Sequence, residues 1–204
     1  MPGSSAAVKR YYDTRAAEYD EWYLGLGVFA QRDRPGWFQE LDELEAAVAE
    51  LPAARTLDVA CGTGYLTRHL RGEITALDQS EQMLAIARRR LPEATVVRAD
   101  ALALPFPDKA FERVFTGHFY GHLERSQRER FVAEARRVGD ELVIVDSAVR
   151  PDHAREEWQQ RVLNDGSQFQ VYKRFFEGDD LIGELGGGVA LHRGSWFVMV
   201  SSHG

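Results

Sequence analysis

The chain has 204 residues, enough for one domain with a sizeable core and no need of disulfide staples. Hydrophobic residues make up 44% and charged residues 28%, and 25 basic against 32 acidic side chains leave a net charge of −7, which argues against a nucleic-acid backbone as partner. Cys61 is the single cysteine, which excludes an internal disulfide and favours a reducing compartment. Met1 to Arg10 lack the apolar run of a signal peptide, and no apolar run is long enough to span a bilayer, so the expectation is a cytoplasmic chain without a membrane partner.

Along the chain, Phe38, Leu41, Leu44, Val48 and Leu51 recur every three or four residues and predict a helix stopped by Pro52. From Arg55 onward, short apolar runs alternate with helical patterns, which predicts βα units and a largely parallel sheet. The strands expected are Arg55–Ala60, Glu73–Asp78, Ala94–Ala99, Glu112–Gly117 and Glu141–Asp146. The last is the most apolar and reads as a central strand buried on both faces. Ser80 is placed to cap a helix over Glu81–Leu91, with Leu84, Ala87 and Leu91 inward and the Arg88-Arg89-Arg90 run on a solvated face. Ser126-Gln127-Arg128-Glu129 reads as a capping box opening a helix with Phe131, Val132, Ala135 and Val138 inward. Ala148 to Gly188 is too long for a simple crossover, and the helical pattern of Trp158–Leu163 suggests a cap. Val189–His192 and Ser195–Ser201 flank the turn-like Arg193-Gly194 and predict a closing hairpin, which would set an antiparallel strand in the sheet.

The first expected strand runs into Cys61-Gly62-Thr63-Gly64 and then a helix, the geometry of a nucleotide site. Glycines let the backbone turn tightly and a ligand approach closely, and a following helix offers unpaired N–H groups. Asp78 ends the second strand, 20 positions after Asp58, where a carboxylate can accept both hydroxyls of a ribose. Asp100 follows the third strand, placed to meet an adenine edge from the other side. Each acid alone reads equally well as a cap or turn residue. Three strand-end acids around one glycine loop point to a shared ligand.

Leu57-Asp-Val-Ala-Cys-Gly-Thr-Gly64, Leu77-Asp78-Gln-Ser80, and Arg98-Ala-Asp100-Ala101 followed by Leu104-Pro105-Phe106 together resemble the class I S-adenosylmethionine-dependent methyltransferases, of the small-molecule type. The resemblance implies an α/β, Rossmann-like, doubly wound sheet of seven strands, mostly parallel with a C-terminal antiparallel hairpin strand and an N-terminal helical lid. It implies one domain, with residues 1–37 as the lid, 55–146 as the cofactor-binding core, 148–188 as a substrate cap and 189–204 as the hairpin. By the same resemblance Asp58, Ala60, Gly62 and Gly64 line the methionine half of the cofactor. Asp78 takes the ribose hydroxyls with Gln79 and Met83 beside the adenosine, and Asp100 and Ala101 meet the adenine. Thr116 to His118 lie near the sulfonium, and lid tyrosines such as Tyr11 and Tyr19 reach the cofactor carboxylate. The family's first loop glycine is Ala60 here. A dinucleotide site fits less well, because Gly64-Tyr65-Leu66-Thr67 lacks the third glycine of Gly-x-Gly-x-x-Gly.

Methyl transfer from a sulfonium is one in-line displacement, for which a protein supplies alignment, exclusion of water and, for a protonated acceptor, a base. His118 is the candidate base because it follows the fourth strand at the ligand edge of the sheet, with Tyr120 a weaker candidate and His122 near in sequence. His118 and His122 at i, i+4 lack the glutamate of a metalloprotease-type helix, so no metal is expected. Cys61 is read as an inert small residue of the loop. Tyr12, Trp22, Trp37, Trp158, Tyr172 and Phe176, in the lid and cap, suggest a flat or aromatic acceptor. The expected function is methylation of O, N or C of a small molecule, with S-adenosylhomocysteine as product. The alternative is a catalytically inactive S-adenosylmethionine-binding module acting as a regulator or partner subunit. A different reaction on the same fold, such as cyclisation, is a third reading. Nucleic-acid methylation lacks its Asn-Pro-Pro-Tyr-like signature, since Thr116-Gly117-His118-Phe119 stands there. A monomer or homodimer is expected.

Overall fold

In the computed structural model, residues 5–151 and 154–204 are described. The chain begins with helix α1 (Ser5–Arg15), a short α2 (Glu21–Leu24) and α3 (Trp37–Glu50), then enters the sheet at β1 (Thr56–Val59). It continues through β2 (Ile74–Asp78), α4 (Glu81–Arg90), β3 (Thr95–Arg98), β4 (Phe111–Gly117), α5 (Arg125–Val138) and β5 (Gly139–Ser147). A separate two-stranded ribbon, β6 (Glu156–Val162) and β7 (Gln168–Arg174), precedes α6 (Gly178–Glu184) and the final strands β8 (Val189–Arg193) and β9 (Phe197–His203).

The main sheet has seven strands in the order β3-β2-β1-β4-β5-β9-β8, parallel from β3 to β5, with β9 antiparallel to both neighbours. The chain builds outward from β1 in one direction and from β4 in the other, so a crevice opens at the carboxyl ends of these two strands. Alternate residues of the central strands feed two cores. Val114, Leu142 and Ile144 pack with Phe131, Ala135 and Val138 of α5, while Phe115, Val143 and Val145 pack with Leu41, Leu44 and Val48 of α3. Burial on both faces is why β5 reads as an unbroken apolar run.

Ser80 caps α4 by accepting from the Met83 amide. Four local expectations are corrected. The capping box of α5 lies two residues earlier: Glu124 is the N-cap, and the Gln127 side chain returns to its amide at 3.0 Å. Trp37, not Phe38, turns inward at the start of α3, donating to Tyr23 O at 2.9 Å while Phe38 stays exposed. No α-helix follows the glycine loop, because Tyr65 to Glu73 leaves room only for the single 3-10 turn Thr67–His69, and α3 packs there instead. The segment Trp158–Leu163 is not helical, since most of it lies in β6, paired antiparallel with β7 across a turn through Asn164-Asp165-Gly166. Its exposure alternates residue by residue, and that two-residue period is set by the ribbon rather than by a helix face.

Two buried carboxylates that the sequence pattern did not single out fasten these parts. Glu40 of α3 accepts from the amides of Ser195, Trp196 and Phe197 at 2.9, 2.7 and 2.7 Å, anchoring the β8–β9 turn to the helix. Asp146 at the end of β5 is fully buried and accepts from the Gly121 amide at 2.6 Å and from Lys173 Nζ of β7 at 2.5 Å, which fixes the ribbon over the crevice.

Candidate active site

β1 ends in a turn in which Ala60, Gly62 and Gly64 all take positive φ, at 59°, 55° and 76°. That alternation coils the loop over the ends of β1 and β2. The Gly62 amide donates to Asp78 Oδ2 at 3.0 Å and the Ser80 amide to Oδ1 at 2.8 Å, so Asp78 ties the loop to the start of α4. Burial raises the Asp78 carboxyl, and the backbone donors pull it back toward the ionised form. Asp58 points beneath the loop. Its Oδ2 accepts from Thr67 Oγ1, while its Oδ1 is buried with no partner among the described residues. Burial pushes the Asp58 carboxyl up to about 8, with Thr67 opposing and Asp78 adding to the shift.

A cavity of about 490 Å³ opens at the carboxyl ends of β1 to β4. Of the residues singled out in the sequence, Ala60, Gly62, Asp78, Gln79, Met83, Asp100, Ala101, His118 and Tyr19 face it. Asp58 faces a recess of about 10 Å³ that shares Tyr19, Ala60 and Gly117 with the larger cavity. Gly64 lines neither space: its amide closes the loop onto Cys61 O at 2.9 Å. Thr116 is also displaced from the expected position, because its hydroxyl donates to Val59 O at 2.7 Å and clasps β4 to β1, leaving Gly117 at the wall. Burial pushes the Cys61 thiol well above its ordinary range, so it stays unionised.

The N-terminal segment is tied to this loop and to α4 by side-chain hydrogen bonds. Asp13 accepts from Ser80 Oγ at 2.6 Å, and Asp20 accepts from Thr63 Oγ1 at 2.6 Å and from Arg90 at 2.5 Å. Arg90 therefore leaves the solvated face expected of its run and binds both Asp20 and the loop, donating also to Thr63 O. Tyr11 does not reach either cavity. Its ring packs against Phe169 of the ribbon and its hydroxyl accepts from Arg15, so it joins α1 to the ribbon. Tyr12 stands at the wall instead.

A second cavity of about 430 Å³ lies beside the first, and Tyr12, Tyr19, His118 and His122 line both. His118 sits between them with positive φ, 57°, its amide donating to Val145 O at 2.8 Å and its ring 4.8 Å from that of Trp22. Both ring nitrogens are buried without a partner among the described residues. Burial drives the imidazole down to about 3, opposed by Asp146 and aided by Lys173 and Arg15, so it is neutral at physiological pH. His122 is fixed differently, with Nδ1 2.7 Å from Tyr172 O. Tyr120 faces neither cavity: it packs against Phe131 and Phe176 and its hydroxyl bonds Glu184, which removes it from reach of the site.

The aromatics read from the sequence divide. Tyr12, Trp22 and Trp37 line the second cavity, and Trp158 and Tyr172 line the first, whereas Phe176 is fully buried in the core. Sequence reasoning missed the arginines. Arg15, Arg32, Arg34, Arg150 and Arg161 all line the second cavity, from four separate segments of chain. No spacing rule joins those positions. Among the described residues no group of three His, Cys, Asp or Glu side chains could hold a metal ion, and no helix is long and apolar enough to cross a membrane.

A family model described as a methyltransferase domain matches residues 56–140. The chain is 34% identical over 136 residues to a demethylmenaquinone methyltransferase of Thermotoga maritima, covering 63% of this chain and 55% of that one. It is 37% identical over 117 residues to a malonyl-[acyl-carrier protein] O-methyltransferase of Halorhodospira halophila, covering 53% of this chain and 37% of that one. It thus spans about half or less of the length of these curated relatives. A solved structure described as a DhpI-SAH complex superposes with a TM-score of 0.73 at 26% identity, covering 98% of this chain and 99% of that one.

Proposed function

Because the chain belongs to the class I S-adenosylmethionine-dependent methyltransferases, we propose that it binds S-adenosylmethionine in the cavity at the ends of β1 to β4 and methylates a small molecule held in the cavity beside it. One observation carries the reading: the glycine loop, Asp78, Asp100 and Gly117 face one continuous space that ends at His118, where the second cavity begins.

The residues fit that cofactor. Oδ1 of Asp58 is a buried acceptor without a donor, in a recess opening from the methionine end, and suits the ammonium of the amino-acid moiety. Asp78 and Asp100 lie along the same wall as Gln79 and Met83, and suit the ribose hydroxyls and the adenine. When bound, the cofactor supplies an electrophilic methyl group on a sulfonium. The protein's part is to place the acceptor in line with it at roughly 3–3.5 Å and keep water out. The latched lid and the ribbon serve the second purpose, and the wall of Tyr12, Tyr19 and His118 the first. His118, held neutral, orients the acceptor through one N–H and one lone pair; its depressed pKa makes it a poor proton acceptor.

Calorimetric titration with S-adenosylhomocysteine, with NAD as the comparison ligand, tests the assignment. Micromolar binding of the first and none of the second is expected. Silence toward S-adenosylhomocysteine would sink it. Binding without turnover of any acceptor would favour the regulatory-module alternative.

A further inference from the structure

The second cavity has an unusual charge for an acidic protein. Among its described lining residues, Arg15, Arg32, Arg34, Arg150, Arg161 and Lys173 face it, against Asp33 as the one carboxylate. Lys173 is already neutralised by Asp146. Arg34 is committed to Trp22 O at 2.7 Å, and Arg150 lies over the Trp196 ring.

Three guanidinium groups remain without a carboxylate partner among the described residues. Arg15 contacts only aromatic groups: its guanidinium lies 4.8 Å above the Tyr19 ring and donates to the Tyr11 hydroxyl. Arg32 lies 4.7 Å above Phe29. Arg161, on β6, buries an Nε that finds no acceptor at all. Their fields overlap, since Arg15 and Arg32 both depress the Arg161 pKa after burial, and Arg15 depresses that of Arg32. Stacking on an aromatic face holds a guanidinium plane still and leaves its N–H edges open, the arrangement suited to bidentate binding of an oxyanion. Like charges gathered in a half-enclosed space, with a buried donor left unpaired, call for an anion to complete them.

We propose that the acceptor is a small oxyacid anion, bearing a carboxylate, phosphate or phosphonate group, and that Arg15, Arg32 and Arg161 clamp that group beside His118. The inference rests on the methyltransferase reading and adds to it the class of acceptor. It replaces the flat aromatic acceptor suggested by the lid and cap aromatics: Trp37 is occupied with Tyr23 O, and Trp22 packs on His118. The two cavities then have complementary duties. The acidic one receives a cationic cofactor and the basic one an anionic acceptor.

The test uses the full chain saturated with S-adenosylhomocysteine, so that cofactor binding is verified before the acceptor is added. Methylphosphonate, inorganic phosphate and acetate are titrated by calorimetry, with acetamide and methylammonium as neutral and cationic controls. At least one oxyanion should bind about tenfold or more tightly than acetamide, less tightly as salt is raised, and Arg161→Gln should weaken it about tenfold. Arg32→Gln is the second variant, on an exposed side chain with no ion pair among the described residues. Both should leave S-adenosylhomocysteine affinity within about twofold, since neither lines its cavity. In an acceptor screen of matched acid and amide pairs, the acids should be methylated in preference, and both variants should erode that preference. Equal binding of acetate and acetamide, or a preference that survives both variants, would overturn the proposal while leaving the cofactor assignment standing. Failure to bind S-adenosylhomocysteine would instead overturn the reading beneath it.

Discussion

Two cavities of similar size, about 490 and about 430 Å³, share a wall of Tyr12, Tyr19, His118 and His122 and carry opposite charge. The first is floored by the parallel sheet itself. Its acids Asp78 and Asp100 sit at or just beyond the ends of β2 and β3, Asp58 of β1 faces the recess beside it, and backbone hydrogen bonds to Asp78 fix the loop and the start of α4. The second is walled by the lid, the loop before α3, the end of β5 and the ribbon. Arg15 and Arg32 lie over aromatic rings, Arg34 donates to Trp22 O, and none of Arg15, Arg32 and Arg161 is paired with a carboxylate among the described residues. A site floored by a sheet inherits the rigidity of the ladder. A site assembled from separate segments depends on the few contacts that hold those segments in place.

The largest effect expected from breaking that second kind of support is at Lys173. Lys173→Met leaves Asp146 buried with its carboxylate unpaired, at a cost of about 3–5 kcal/mol in chemical denaturation, and should loosen the ribbon over the arginine cavity. Asp146 is held ionised by Lys173 and by backbone donors. A variant as stable as the parent would show that the ribbon is held otherwise.

On the sheet-floored side, Asp78→Ala should weaken S-adenosylhomocysteine by about 1–3 kcal/mol with oxyanion affinity at the neighbouring site little changed. Unchanged cofactor affinity would reduce Asp78 to a loop anchor.

The pH dependence separates the cavities further. Asp58, raised to about 8 by burial, is mostly protonated at pH 7 in the free protein. An ammonium at Oδ1 favours the carboxylate, so binding near pH 7 should release a proton, and S-adenosylhomocysteine affinity should climb between pH 6 and about 8. Because the folded-state pKa is raised, the linked stability is full below the unfolded carboxyl pKa and is lost as pH rises toward about 8. Calorimetry in buffers of different ionisation enthalpy reads the proton directly, and Asp58→Asn should abolish the difference. A buffer-independent enthalpy in the parent protein would exclude the linkage.

The smallest effect concerns the loop. Ala60 holds a left-handed φ that a side chain disfavours, so Ala60→Gly should stabilise the fold by up to about 1 kcal/mol and raise the melting temperature by about 2–4 °C. A lower melting temperature would mean that packing of the Ala60 methyl outweighs the strain.

The sequence by itself determined the sheet-bound half of this protein. Strand periodicity, the Gly62 and Gly64 turn, and Asp58, Asp78 and Asp100 near three strand ends are local patterns, and a parallel sheet converts them directly into neighbours because each strand delivers its end to the same edge. Local pattern also misled where tertiary contacts outweighed it. Trp158–Leu163 has helical spacing yet lies mostly in a paired strand, Phe38 yields the buried place to Trp37, and Thr116 turns to a backbone carbonyl. Only the tertiary structure decided the second cavity. Arg15, Arg32 and Arg161 come from a helix, a loop and a ribbon with no common spacing, and each read alone is an ordinary surface charge in a chain whose basic residues are nearly all arginine. What makes them a site is that they line one cavity with none of them paired to a carboxylate among the described residues, and both follow from how the N-terminal segment and ribbon close over the sheet rather than from the order of residues along it.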